Sequence, residues 1–465
     1  MSLGKNISRL FVYRILGQLL GVGVIIYFTR NVTPDILGEY FYFESLISAV
    51  AIVASVGISG TAEKFVSSKS NPAVWYTTGL SISAILSVVV GLLILVLNLF
   101  VVIINPKYIV LFVVSLIGGR LLTYYQHILR AELRASTSGL ISLLRSTTLI
   151  VTGVVLFKFA EFGNSLIIAT TLARLIPLPL AIGLTKSNLS MPTWNVAVEM
   201  LGFAKYYMIN VVGMKVFYYA DVVLIGILMA KSSVAYYEVA WRLILTVITL
   251  NSIIANTLFS YVSNASSQGD YKSVSEDVKH VLSYIFIIPI PVFFGSIVVG
   301  NDVLTFLFTD TYMNSKLVLP ILAFGLLFQT LYHLFSKILV GLDKPRSAFY
   351  ATLTTVLCNI ILNILLISSE GIIGAAVATT VSFVLAYVIY YKLIGHELNI
   401  EIPYRSVSIQ LIAGILMFIL LIYVETISSL PVMFSILLGG LAYVSVLGIV
   451  PHSRNQLLNL ASKSI

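Results

Sequence analysis

Apolar runs of about twenty residues recur along the whole chain, each closed by a short polar or Pro/Gly stretch. A helix needs about 20 mostly apolar residues to cross hydrocarbon, and about fourteen runs meet that length. They cover, approximately, residues 9–29, 38–60, 76–104, 108–129, 138–157, 163–185, 201–229, 234–262, 280–300, 317–340, 347–368, 371–394, 406–425 and 430–450. Composition agrees: 58% of the 465 residues are hydrophobic and 10% charged, too few charges to cover a water-facing surface. The expected fold class is an all-α polytopic membrane protein. The longest polar interval, Ser263 to His280, leaves no room for an extramembrane domain. The first run has basic flanks, no small-residue cleavage site and another run directly behind it, so it reads as a retained span.

Lysine and arginine in short loops set orientation. With both termini on one side, that side holds fifteen of them, from Lys5 to Lys463; the other holds Arg30, Lys107, Lys158, Lys231 and Lys316. Both termini are expected in the cytoplasm, and the localisation is the cell membrane. Topogenic charge explains the pI near 9.3 without a nucleic-acid partner. Cys358 is the single cysteine, which excludes an internal disulfide and any multi-cysteine metal site. The five histidines are scattered, and no Walker-type glycine loop occurs. We expect no cofactor, no metal, no ATP hydrolysis and no enzymatic activity.

The first run opens "RLFVYRILGQLL", with Arg14 and Gln18 one helical turn apart, where a lipid-facing helix should carry neither. Seven further basic residues lie inside predicted spans: Arg120, Arg145, Arg174, Lys205, Lys215, Arg242 and Lys337. The acids inside spans are Glu44, Asp221 and Glu238. An ionised side chain in hydrocarbon costs about 2.5–3.5 kcal/mol even on the lenient insertion scale, so these groups should face a bundle interior or a wet cavity. Snorkelling accounts well for Lys205 and Lys337, and less well for Arg14 and Arg242. Arg120, Arg174 and Lys215 lie near span centres, roughly 15 Å from either face at 1.5 Å per residue. Glu238 and Arg242, four apart on one helix face, are placed to pair. Cations remain in excess even if every acid is paired, and an uncompensated cation in a cavity suits an anion.

Weak internal symmetry divides the chain. "LGEYFYFESLISAV" (Leu37 to Val50) parallels "VAYYEVAWRLILTV" (Val234 to Val247), and "LRAELRASTSGL" (Leu129 to Leu140) parallels "LVGLDKPRSAFY" (Leu339 to Tyr350), each at an offset near 200 residues. The predicted organisation is an N-lobe of six spans (residues 1–190), a C-lobe of six (191–400) and an appended pair with a cytoplasmic tail (401–465). The two lobes are read as pseudo-symmetric repeats with a substrate site between them near the midplane.

Two stretches carry a resemblance. "NVTPDILGEYFYFESLISAVAIVASVGISGTAEKFVS" (Asn31 to Ser67) is similar to the opening helices of the Wzx-type, RfbX-like polysaccharide transporter flippases. "ILVGLDKPRSAFYATLTTVLCNIILNILLISSEGIIGAAVATTVSFVLAYVIYY" (Ile338 to Tyr391) resembles that family's basic turn, its Asn-x-x-x-Asn pair (here Asn359 and Asn363) and its Gly-x-x-Gly-Ala-Ala-x-Ala segment. The pattern is loosely spaced and covers roughly residues 5 to 395. It implies the fold of the multidrug/oligosaccharidyl-lipid/polysaccharide (MOP) exporter superfamily and a monomer that moves a polyprenyl- or dolichyl-phosphate-linked glycan through the lipid bilayer by alternating access. A glycan polymerase or transferase complex would be the downstream partner.

On this reading the headgroup contacts are Arg14, Arg120, Arg145, Arg174, Lys215 and Arg242, and the candidates for ion coupling are Glu44, Asp221 and Glu238. A MATE-like ion-coupled exporter of small organic molecules is the alternative, although a pocket for organic cations should be rich in carboxylates. A membrane enzyme such as a glycan polymerase needs a sizeable outward loop, and the outward loops here are short. Gly371, Gly374, Ala375, Ala378 and Ser382 form a small-residue stripe for close helix packing. Pro177, Pro179, Pro289 and Pro291 lie inside predicted spans as kinks or hinges.

Overall fold

Proline starts five of the helices: Pro34, Pro72, Pro177, Pro289 and Pro345 each sit in a first turn, where a missing N–H costs nothing and φ is already helical. The computed structural model describes residues 3–160, 165–267, 270–427 and 430–450; the side chains of Arg14, Lys205 and Lys215 lie outside what it describes. No strand occurs among the described residues. The helices are α1 (Leu3–Thr29), α2 (Pro34–Ser55), α3 (Ile58–Ser68), α4 (Pro72–Phe100), α5 (Ile109–Ala131), α6 (Ala135–Ala160), α7 (Ser165–Leu175), α8 (Pro177–Leu184) and α9 (Trp194–Leu228). After them come α10 (Lys231–Ser267), α11 (Tyr271–Leu282), α12 (Pro289–Val298), α13 (Gly300–Phe308), α14 (Val318–Gly341), α15 (Pro345–Gly395), α16 (Tyr404–Ile427) and α17 (Val432–Ile449).

Among the described residues, nine helices are long and apolar enough to cross a membrane, or ten if α12 and α13 count as one broken span. The expected number of about fourteen is therefore not reached by that measure. One cause is α15, whose 51 residues run through two of the expected spans, joined at Gly371. Its φ of 61° and ψ of −137° lie where a side chain would be strained, and the bend brings Gly374 so close to Leu366 that a Cβ would meet its carbonyl at 2.0 Å. The small-residue stripe thus packs the two halves of one bent helix. The expected span at 280–300 is not one helix either. Turns fill the interval between α11 and Pro289, and α12 bends by 83° into α13.

Contacts divide the chain into residues 1–235 and 236–465. In the first unit, α5 is the shared partner of α3, α4, α6, α7 and α8, while α1 lies along α6 and α2 along α9. Tyr124 on α5 donates to the carbonyl of Tyr76 on α4 at 2.5 Å, which fixes α5 axially against its neighbour. In the second unit, α14 packs along α15, and the C-terminal pair α16 and α17 closes on α12 through Ile290, Ala413, Met417, Tyr443 and Leu447.

One close approach bears on stability. A Cβ at Gly38 on α2 would stand 1.7 Å from the backbone carbonyl oxygen of Lys231. Backbone cannot rotate out of the way as a side chain can, so Gly38→Ala should cost about 1–3 kcal/mol by overpacking. Thermal unfolding in detergent checks this, with Gly23→Ala as the control because a Cβ there meets nothing within 4 Å.

Candidate functional site

Three of the sequence-predicted residues meet inside the first unit. Arg174, on α7, sends Nη2 to Glu44 Oε2 on α2 at 2.9 Å and Nη1 to Ser115 Oγ on α5 at 2.6 Å. The other oxygen of Glu44 accepts from Thr170 Oγ1 at 2.7 Å, so both carboxylate oxygens are engaged. The guanidinium reaches this position because α5 carries "GGR" at 118–120. A Cβ on Gly119 would come within 2.9 Å of Arg174 Cδ and 3.1 Å of its Nε. Any larger residue there would displace the arginine.

Arg145, on α6, is the third member. Glu44, Arg174, Tyr40 and Tyr219, from α2, α7 and α9, all lie within its electrostatic reach. Among the described residues no carboxylate comes within 4.0 Å of it, and its surface is exposed. A side chain faced from three helices that keeps accessible surface lines a hollow instead of packing into the core. Arg174 and Glu44 neutralise each other, so the group as a whole carries one net positive charge, on Arg145. The backbone of α1 runs beside it: a Cβ on Gly17 would touch Ser146 Oγ at 3.5 Å, and Arg14 lies one turn earlier on that helix.

Arg120 lies on α5, one residue beyond Gly119. It is 7% exposed, and its Nη2 donates to Ser59 Oγ at 3.1 Å, while its Nε makes no hydrogen bond among the described residues. Ser59 is delivered by the break between α2 and α3, where Val56 (φ 41°) and Gly57 (φ 73°) both adopt left-handed backbone. For a β-branched valine that conformation is strained. The same break delivers Glu63, which bonds His127 Nδ1 at 2.6 Å and Arg130 Nε at 3.3 Å. Burial pushes the Glu63 carboxyl upward, but His127 and Arg130 outweigh it and hold the group below the usual carboxylate range. His127 is seven residues beyond Arg120 on the same helix face, about 10 Å along the axis.

Of the other predicted residues, Glu238 and Arg242 belong to the second unit. Asp221, on α9, is buried at 3% exposure and has a partner. In the second unit, Arg242 Nε donates to Glu238 Oε1 at 2.8 Å within α10, the spacing at which the sequence places a pair. Asn359 Nδ2 reaches Thr379 Oγ1 at 3.4 Å across the bend of α15, and Asn251 Nδ2 donates to Thr330 Oγ1 at 3.0 Å. Arg14 and Lys215 are predicted headgroup residues whose side chains lie outside the described residues. Sequence reasoning did not select Ser59, Ser115, Gly119 or Thr170, and it counted His127 only among the scattered histidines.

No cluster of three or more metal-ligating side chains occurs among the described residues. Arg120, Arg145, Arg174 and Glu44, with Ser59, Ser115 and Thr170, make a set of guanidinium forks, hydroxyls and one engaged carboxylate. Chemically it can hold an anion and offers no nucleophile activated by a base.

Residues 207–365 match the MatE family. The probable low-salt glycan biosynthesis flippase Agl15 of Haloferax volcanii is 26% identical over 454 residues, covering 96% of this chain and 96% of that protein. The probable flippase AglR of the same organism is 25% identical, covering 100% of this chain and 98% of that protein. Among solved structures, lipid II flippase MurJ in an inward closed conformation superposes with a TM-score of 0.81 at 16% identity, over 95% of this chain and 98% of that one. An inward-facing multidrug resistance MATE family transporter of the MOP superfamily gives 0.66 at 16% identity, over 84% and 97%. At those identities the structural likeness speaks for the fold.

Proposed function

Starting from a chain that carries a MatE domain and the MOP superfamily fold, we propose a transporter and not an enzyme: a flippase that carries a polyprenyl- or dolichyl-linked oligosaccharide across the cell membrane. The observation that carries this reading is Arg145, a residue that keeps accessible surface beside a self-neutralised Arg174–Glu44 pair. A phosphate or pyrophosphate linkage is the anionic part of such a lipid, and its passage through bare hydrocarbon is opposed by the cost of desolvating it. A guanidinium replaces lost water with a planar set of donors matched to phosphate oxygens. Arg120, buried nearby on α5 with a single hydroxyl partner among the described residues, supplies a second cation. With both termini cytoplasmic, the site opens to the two membrane faces in turn, and the glycan passes to a transferase or polymerase outside.

Agl15, AglR and MurJ are themselves named as flippases, the first for glycan biosynthesis and the last for lipid II, which adds support. The competing reading, a MATE-like exporter of organic cations, is disfavoured by the sign of the charge left over, since Glu44 already accepts two hydrogen bonds, one of them from Arg174. The test is reconstitution into vesicles, with translocation measured for phosphate-linked and pyrophosphate-linked polyprenyl glycans and for a cationic dye. Glycan lipid should cross and dye should not. Neutral replacements at Arg14, Arg120 and Lys215 should slow the crossing. Wild-type rates in all three variants would remove the headgroup role from those positions.

A further inference from the structure

A cavity of about 450 Å³, largely apolar with a polar edge, lies in the first unit among the start of α2, the loop joining α4 to α5 and the first residue of α10. Its chemistry is bipolar. Glu39 brings a carboxylate and Lys231 an ammonium, and they stand more than 4.0 Å apart, near enough to feel each other without closing an ion pair. Asn105 lies between loop and helix, donating from Nδ2 to Glu39 Oε1 at 3.3 Å. Tyr42, Phe43 and Tyr108 supply the apolar wall.

The cavity is built in place. Asn98 accepts from the N–H groups of Ile103 and Ile104 at 3.0 and 2.8 Å and donates to the carbonyl of Ile104, pinning the loop. Tyr42 Oη donates to the carbonyl of Ile103 at 2.9 Å, and its ring presses on Gly226, where a Cβ would stand 2.1 Å away. Lys231 Nζ sits 3.3 Å over that ring and donates to the carbonyl of Gly226 at 2.6 Å.

Electrostatics narrows the guest. A phosphate would be repelled by Glu39 and a simple cation by Lys231. A hydroxyl both donates and accepts, so one hydroxyl can give its proton to Glu39 while a neighbour accepts from Lys231. A ring with a hydroxyl rim and apolar C–H faces matches a cavity with a polar edge and an aromatic wall. The volume is that of a small-ligand site. Lys107 and Lys231 belong to the face that the lysine and arginine distribution places outside.

We propose that this cavity is a sugar subsite on the outer face, which holds one or two neutral sugar units of the glycan. The proposal rests on the flippase reading and names a contact for the part of the cargo that the arginines do not serve.

The test uses the full chain in nanodiscs and saturation-transfer NMR with free maltose, cellobiose and chitobiose, alongside phosphoethanolamine. Geranyl phosphate binding to the same samples reports the cationic site separately. At least one disaccharide should receive saturation, and Glu39→Gln and Asn105→Ala should each lower it about fivefold at equal sugar concentration while geranyl phosphate binds as in wild type. Asn105 is exposed, so its variant keeps the test sound if Glu39→Gln fails to fold. No transfer to any disaccharide, equal transfer in the variants, or transfer to phosphoethanolamine alone would overturn the subsite. Loss of geranyl phosphate binding in wild type would instead remove the flippase reading.

Discussion

Arg174→Met is expected to abolish translocation and to destabilise the protein by about 3–5 kcal/mol, the usual cost of stranding one partner of a buried ion pair. The side chains of Arg174 and Glu44 are 6% and 16% exposed, so the carboxylate left behind has little water to turn to. It keeps the Thr170 hydroxyl, which cannot match a guanidinium. Glu44→Gln in the same background should restore most of the stability, because a neutral amide removes the stranded charge. It should not restore transport, since Arg174 also ties α7 to α5 through Ser115 and thereby shapes the hollow beside Arg145. The double-mutant cycle separates these effects through unfolding midpoints in detergent and crossing rates in vesicles. A single variant that unfolds within 1 kcal/mol of wild type would show that the pair is not the tie described here.

The helical breaks were legible because proline and glycine act through backbone geometry alone. Pro177 and Pro289 open new helices where the sequence places kinks, and Gly371 falls at the start of one expected span and turns the two into a single bent helix. The buried arginines were legible for a related reason: a charge at span depth is costly whatever packs around it, so its presence alone signals an interior. What it bonds to was not. Ser115 is 59 residues from Arg174, and Glu63 is 64 from His127; only the folded chain joins them. Gly119 illustrates the limit well. In the sequence it is another small residue in an apolar run, yet it is the space through which Arg174 reaches Glu44. The run at 280–300 misled for the opposite reason, since mean hydropathy is blind to the 83° bend between α12 and α13.

Arg145→Gln should separate binding from folding in a way Arg174→Met cannot. Arg145 has an exposed surface and no carboxylate within 4.0 Å among the described residues, so its removal strands no partner. Glu44 would keep Arg174 and Thr170, and the unfolding midpoint should move by less than about 1 kcal/mol, as for substitutions away from packed features. Affinity is a different matter. A charge-assisted hydrogen bond is worth about 1.5–3 kcal/mol, so geranyl phosphate binding should weaken about 10- to 100-fold. Arg145→Lys distinguishes a fork from a point charge: it keeps the sign but presents one compact ammonium, and recovery should be partial. Full recovery by lysine would mean the site reads charge alone, and binding that survives Arg145→Gln unchanged would place the anion elsewhere, with Arg120 as the next residue to neutralise. Because Arg174 is already matched by Glu44, the cluster should lose Arg145 at little cost in stability, whereas losing Arg174 should cost several times more. That asymmetry is why we propose Arg145 as the residue at which the chain meets its cargo.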